Sequence, residues 1–296
     1  MFCKNCGKKS EGDKKFCTNC GASFSTSAEK NEPIFSKSSP PKPKGSPTGK
    51  LVGIIIIFLV VGLGIWGSMD EEAIRSNDEA ISSFDSGDSQ SAINQLERAS
   101  NEAVGRDTKL NTLLNLGYVY SSELQYDQAL QAFREALTYA SEGSFEHFLI
   151  SGEVALLERK PNAAQISYNK AYELRPSDFQ INNALNLFYL DLEGVAPYYV
   201  DYPRALTHAQ KAYDVSTSDV KNIATQNLAI AHFFNENYDR TISLLSSQGS
   251  VPWIAYWLGW SYAIKEDEDN ARFYFQRAAD GGVDVEQEVY DYLYSY

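Results

Sequence analysis

Two hydrophobic patterns divide this chain. From Leu51 to Trp66 an uninterrupted apolar run (LVGIIIIFLVVGLGIW) stands alone, and the uncharged stretch continues to Met69. Beyond it, apolar residues recur at helical spacing, and small and aromatic ones recur again at a longer interval. Asn115-Leu116-Gly117-Tyr118-Val119-Tyr120 is followed by Ala129, Phe133 and Ala136, and Gly152, Ala164, Tyr168 and Ala171 stand 35 residues after Gly117, Ala129, Phe133 and Ala136. Near the end Leu258, Gly259 and Tyr262, with Ala271, Phe275 and Ala278, keep the same internal spacing. This pattern predicts helix hairpins. Gly or Ala about twelve residues before another Ala lets two antiparallel helices approach closely, and Phe or Tyr four residues later fills the gap to the next pair.

Turns between paired helices are expected at Arg159-Lys160-Pro161-Asn162, at 235–239 and at 265–270. Pro161 suits a first helical turn, where its missing N–H costs nothing. Weaker units are readable around Ala80, Ala92, Leu96 and Ala99, around Leu185, Tyr189, Ala205, Ala209 and Ala212, and around Leu228, Ala229, Leu244 and Leu245. The fourth unit carries an insertion of about seven residues at Gly194 to Tyr202 (GVAPYYVDY), and the fifth is truncated at 248–251. Val285 to Tyr296 is expected to be a terminal helix that covers the open end of the core.

The pattern resembles the tetratricopeptide repeat, whose Leu-Gly-x-x-Tyr, then Ala, then Phe, Ala and Pro signature is best kept in residues 110 to 178 and 252 to 283. The resemblance covers most of residues 72 to 296. It implies a mainly α fold, an α-solenoid of helix hairpins over residues 70–296. It also implies a concave groove, lined by the first helix of each unit, that receives a protein or peptide partner. By helical register the groove candidates are Asn111, Leu114, Tyr118, Glu153, Leu157, Asn183, Gln226, Tyr256 and Trp260. Packing between units is the competing reading for several of them. A Lys and Asn set that clamps a C-terminal carboxylate is found in some such arrays. The matching places here hold Leu114, Tyr118, Leu149 and Glu153, so no carboxylate clamp is expected.

The apolar run at residues 51–69 is long enough for a transmembrane helix, since about 17 to 25 residues cross the apolar core of a bilayer. It begins too far from residue 1 for a cleaved signal peptide. A buried helix is the alternative, but an all-round apolar segment outside a folded domain has nothing else to bury against. Lys42, Lys44 and Lys50 precede it, and Asp70, Glu71 and Glu72 follow it. The excess of Lys on the N-terminal side places that end in the cytoplasm and the repeats in the extracytoplasmic space of a cell membrane, as a single-pass protein. Gly53, Gly62, Gly64, Gly67 and Ser68 allow a weak homodimer through close helix contact.

The first 24 residues hold all four cysteines, as Cys3-Lys-Asn-Cys6-Gly7 and Cys17-Thr-Asn-Cys20-Gly21. Two residues between each pair let both sulfurs face one ion, and two such turns complete a tetrahedral S4 site suited to structural Zn²⁺ at Cys3, Cys6, Cys17 and Cys20. A redox pair is the weaker reading, because about 25 residues hold no thioredoxin-like core. The spacing does not distinguish zinc from iron in the same geometry. The duplicated Phe-Cys-x-Asn-Cys-Gly motif is similar to the short zinc-ribbon module at the start of many bacterial and archaeal membrane proteins. That resemblance implies a closed zinc site on a small β-hairpin scaffold at residues 1–24. Residues 25–50, rich in Ser, Pro and Lys, are expected to be a disordered linker.

Charge sharpens the division. Residues 1–50 contain ten Lys and four acidic residues, a formal +6; the remaining 16 basic and 35 acidic residues give −19, within a net −13. Such an acidic array repels phosphate backbones and excludes nucleic acid as its partner, and it favours a basic or neutral protein segment. His147, His208 and His232 are the only histidines, each on a predicted helix, and no HExxH, Walker-type loop or Gly-x-Ser-x-Gly occurs. The acidic turn 266–269 lacks the glycine and spacing of a calcium loop and reads as a solvated turn. The expectation is therefore a membrane-anchored protein-interaction scaffold and not an enzyme. The alternative is an envelope enzyme, or an accessory subunit of an envelope enzyme complex, with chemistry in the insertion at Gly194 to Tyr202.

Overall fold

The computed structural model describes residues 71–85, 88–191, 194–283 and 289. The cysteine module, the linker and the apolar run at residues 51–69 therefore lie outside the described residues, as does all of the expected terminal helix except Val289. Among the described residues no helix is long and apolar enough to cross a membrane.

The described part is an all-helical stack of six hairpins: α1 (Glu71–Asp85) with α2 (Ser89–Glu102), α3 (Arg106–Ser122) with α4 (Tyr126–Tyr139), α5 (Phe145–Leu157) with α6 (Pro161–Leu174), α7 (Phe179–Leu190) with α8 (Tyr202–Val215), α9 (Lys221–Phe234) with α10 (Tyr238–Leu245), and α11 (Pro252–Ile264) with α12 (Glu268–Asp280). All six expected units are present. The first helix of each hairpin also packs on the second helix of the preceding one, so successive hairpins are in contact along the stack.

Small residues set the spacing inside each hairpin. Ala92, Ala129, Ala164, Ala205 and Ala271, on the second helices, are fully buried; in the fifth hairpin Thr241 takes this place, and its Oγ1 donates to the Ala229 carbonyl at 2.9 Å. The aromatic four residues later sits differently from the sequence expectation. Phe133, Tyr168 and Phe275 lie across Gly117, Gly152 and Gly259 of their own hairpins, where an added Cβ would come within 2.5, 2.3 and 2.5 Å of the ring. They also reach the neighbouring unit, as Tyr168 does with Phe188 at 5.9 Å between centroids. Only glycine leaves room for a ring at that depth. In the fourth hairpin the sizes are exchanged: Asn186 holds the glycine place and Ala209 the aromatic one, both buried.

Four hairpin turns share one geometry. Leu124, Arg159, Glu236 and Glu266 each take a left-handed conformation, with φ between 56° and 62°. Each follows the first-helix small residue (Gly117, Gly152, Ala229, Gly259) by seven positions. The amide of the next residue closes the turn: Gln125, Lys160, Asn237 and Asp267 donate to the carbonyls of Tyr120, Ala155, His232 and Tyr262 at 2.8 to 3.0 Å. This is the six-to-one closure of a helix C-terminus that glycine normally provides. Pro161 stands at the start of α6 as expected. Asp88, Ser144, Asp178, Asp201 and Asp267 cap helix N-termini with their side chains, which assigns the acidic turn at 266–269 a structural role at Asp267.

The insertion between α7 and α8 is anchored. Asp191 is left-handed (φ 46°) and its Oδ1 accepts the Ala196 amide at 2.8 Å; the Asp201 amide returns to the Tyr189 carbonyl at 3.0 Å. Tyr199 packs on Phe188 and its hydroxyl meets Asn162, while Tyr198 is 89% exposed. The fifth hairpin is shortened as expected: α10 has eight residues and runs into a 3-10 turn at Ser246–Gln248. At the C-terminal end Val283 and Val289 are buried in the same core as α11 and α12.

Candidate partner-binding face

The nine groove candidates fall into two sets. Asn111 (α3), Leu157 (α5) and Gln226 (α9) are half-buried and keep solvent contact. Leu114, Tyr118, Asn183 and Tyr256 are essentially buried, and Glu153 and Trp260 retain 9% exposure. Some of these residues meet others across the junctions, as Tyr118 meets Glu153 and Asn183 meets Asn227. Leu114 and Tyr118 join the core around Phe133, with Tyr118 edge-on to that ring at 5.0 Å. Tyr256 and Trp260 pack edge to face, and Trp260 lies against Phe275. Gln226 donates to Gln248 Oε1 at 2.7 Å.

Glu153 is the one Asp, Glu, Lys, Arg or His among the buried described residues. The α5 helix holds it one repeat step from Tyr118 of α3 and beside Tyr168 of α6. The Tyr118 hydroxyl donates to Glu153 Oε1 at 3.4 Å, and the Tyr168 hydroxyl is also hydrogen-bonded to this carboxyl. Burial pushes the carboxyl up from 4.5 to about 7, against the opposing pull of the Tyr168 and Tyr118 hydroxyls. Both phenols are driven upward in turn, by burial first and then by the Glu153 charge. Asp178, the N-cap of α7, adds negative potential at Tyr118, and burial also raises its own carboxyl.

A second polar feature, absent from the sequence reading, runs through the junctions. Asn115 Nδ2 donates to Asn77 Oδ1 at 2.9 Å between α3 and α1, and Asn227 Nδ2 donates to Asn183 Oδ1 at 2.7 Å between α9 and α7. The four residues are buried. The available signal was positional, since Asn115 and Asn227 each stand two residues before the small residue of their hairpin. Asn186 is fully buried, and neither its amide nitrogen nor its oxygen finds a partner among the described residues.

The histidines lie on α5, α8 and α9, as expected. His208 is stacked on Tyr189 and edge-on to Tyr172, with Nδ1 at 3.0 Å from Asn182 Oδ1. Burial, with Lys211 and Arg204 nearby, lowers it to about 4, so it is neutral at physiological pH. Burial lowers His232 as well. Among the described residues no group of three or more His, Cys, Asp and Glu is arranged to hold a metal ion.

Residues 110–142, which span most of the α3/α4 hairpin, match the family model described as tetratricopeptide repeat. The α3/α4 hairpin thus matches the tetratricopeptide repeat, within a stack of hairpins built in a similar way. Its fold is similar to a chain of the APC/C hetero-tetramer Cut9-Hcn1, with a TM-score of 0.53 and 17% identity over 76% of this chain and 43% of that one. It is also similar to PilW, described as a widely conserved type IV pilus biogenesis factor (TM-score 0.47, 18% identity, 61% of this chain and 80% of that one), and to pilF of Pseudomonas aeruginosa (TM-score 0.49, 18% identity, 65% and 90%). At these identities the likeness is one of fold alone. No curated protein matches the chain significantly. Repeat arrays of this kind typically mediate protein–protein interaction, and of the groove candidates Asn111, Leu157 and Gln226 keep the most solvent contact.

Proposed function

We propose that the protein is a single-pass, membrane-anchored interaction scaffold whose tetratricopeptide-repeat array binds protein or peptide partners on the extracytoplasmic side, with a structural zinc ribbon in the cytoplasm. The observation that carries this reading is the stack itself. Six hairpins align their first helices in series, which creates an extended face on which successive units contact successive parts of a ligand. The formal −19 beyond the apolar run favours a basic or neutral segment as ligand, and binding weakens as salt rises. The groove consists of Asn111, Leu157 and Gln226 at its surface, with Leu114, Tyr118, Glu153, Asn183, Tyr256 and Trp260 forming the wall behind them. The role is non-catalytic, as is general for scaffolds of this fold.

Anchoring rests on the run from Leu51 to Met69 and the Lys excess before it, and zinc on Cys3, Cys6, Cys17 and Cys20; a weak homodimer through the small residues of the span belongs to the same proposal. Capture of crosslinked membrane proteins by the tagged full chain tests the scaffold. Stable, salt-sensitive partners are expected, whereas turnover of a cell-wall substrate with no partner would overturn it. Protease added to intact cells tests the topology: the repeats should be digested and the cysteine module spared.

A further inference from the structure

We infer that Glu153 is the receiving group for a cationic side chain, lysine or arginine, carried by the segment that the array binds; this rests on the reading of the array as a partner-binding scaffold. The other carboxylates near it that face solvent already have cations. Glu146 is paired with Arg175 at 2.8 Å, and Glu158 with Arg134 and Lys160 at 2.5 Å each. Glu153 has tyrosine hydroxyls instead. From α3 it meets Tyr118, from α6 Tyr168, and beyond them the α7 cap contributes Asp178, a further acid. No lysine or arginine among the described residues is paired with it.

A carboxylate removed from water and left without a counter-ion is an unfavourable arrangement for folding, because neutral donors recover only part of the lost hydration. Fixed hydroxyls at two sides leave a third side for a donor that the protein does not supply. Of the three residues Glu153 is the most accessible, with 9% of its surface exposed against 2% for Tyr118 and 1% for Tyr168, so a donor is to approach from its side. An ammonium or guanidinium group arriving there forms a charge-assisted hydrogen bond in a poorly screened setting. When the carboxyl is protonated beforehand, binding releases that proton to solvent. The contact then confers specificity as well as affinity, because a neutral side chain of the same length leaves the carboxylate unpaired.

The test uses acetylated, amidated decapeptide pools, randomised except for a central Lys, Arg, norleucine or Glu, retained on the immobilised full chain. The wild type should retain the Lys and Arg pools at least tenfold over norleucine. Glu153→Gln should bring that ratio close to one while still retaining the norleucine pool. Glu135→Gln, which makes the same charge change at an exposed position of α4, should leave the ratio intact and so removes the general effect of an acidic array. With a carboxyl that titrates at about 7, the Lys preference should grow by up to about tenfold between pH 6 and pH 8 in the wild type and stay flat in Glu153→Gln. Equal ratios in wild type and Glu153→Gln would overturn the cation site and leave the scaffold standing. Retention of no pool at all would overturn both.

Discussion

Gly152→Ala is the sharpest test of how the hairpins are spaced. A methyl group at that position would stand 2.3 Å from Tyr168 Cε1, 2.4 Å from Cδ1 and 3.0 Å from Cζ. Carbon atoms in contact keep about 3.5–4.0 Å, so the ring would have to retreat by more than about 1 Å. It has nowhere to go: Tyr168 is 1% exposed, lies edge-on to Phe188, and is hydrogen-bonded to Glu153. The strain therefore separates α5 from α6. Overpacking of this kind costs about 1–3 kcal/mol, and a rigid ring places it at the upper end. Alanine recovers about 0.8–1.0 kcal/mol of helix propensity, which leaves a net loss of about 2 kcal/mol. Urea unfolding of the purified full chain measures the loss, and amide hydrogen exchange across residues 145–174 localises it to the third hairpin. Combining the substitution with Tyr168→Leu replaces the rigid ring with a flexible side chain, and the cost of Gly152→Ala should then shrink to near zero. A neutral or stabilising Gly152→Ala in the wild-type background would refute the close-approach argument.

Other consequences are open to measurement. The Glu153 carboxyl is raised in the folded state from 4.5 to about 7, so the folded chain holds a proton that the unfolded chain has lost. Stability therefore falls as pH rises from about 4.5 to about 7, by about 3 kcal/mol at about 1.36 kcal/mol per pH unit, and levels off above. Thermal unfolding from pH 5 to pH 8 should show this slope in the wild type and a flatter one in Glu153→Gln; parallel profiles would contradict it. Glu266→Gly, at φ 62°, relieves left-handed strain and should raise stability by about 0.5–1 kcal/mol in urea unfolding, while Glu266→Val should lower it. Asn186→Gly combined with Ala209→Phe rebuilds in the fourth hairpin the pair found in three others and removes a buried amide without partners. A gain of about 1–3 kcal/mol is expected, and a loss would show that the insertion has changed the packing of α7 on α8.

Much of the fold was legible because its determinants repeat. Gly117, Gly152 and Gly259 are informative singly, but their fixed distance from Ala129, Ala164 and Ala271 is what defines the hairpin, and the six units follow from carrying that distance through weaker copies. The aromatic was placed correctly in sequence and only half correctly in space, because register fixes the face of a residue and not whether its own hairpin or the next one takes it. The same limit governs the groove. Tyr118, Asn183 and Tyr256 are buried all the same, because side chains of their own and adjacent units pack on them, and that packing is not fixed by register. The left-handed turns at Leu124, Arg159, Glu236 and Glu266 had no residue signal, because none is glycine or asparagine; only their shared offset of seven from the small residue betrays them.

The polar contacts between units suggest how an array of similar parts keeps one order. Glycine under an aromatic is common to the second, third and sixth hairpins, so apolar packing alone would let these units stack on one another interchangeably. The junctions are not alike. Asn77 meets Asn115 between the first and second units, Tyr118 meets Glu153 between the second and third, and Asn183 meets Asn227 between the fourth and fifth. Between the fifth and sixth, Phe233 and Phe234 meet Trp257 at 5.1 and 5.7 Å between centroids. A misordered stack would set a buried asparagine or Glu153 against an apolar surface, and each unpaired polar group would cost about 1–3 kcal/mol, more for the carboxylate. These contacts add little net stability when correctly made, but they penalise the alternatives, so the polar residues at the junctions specify sequence order while the glycine–aromatic pairs supply cohesion.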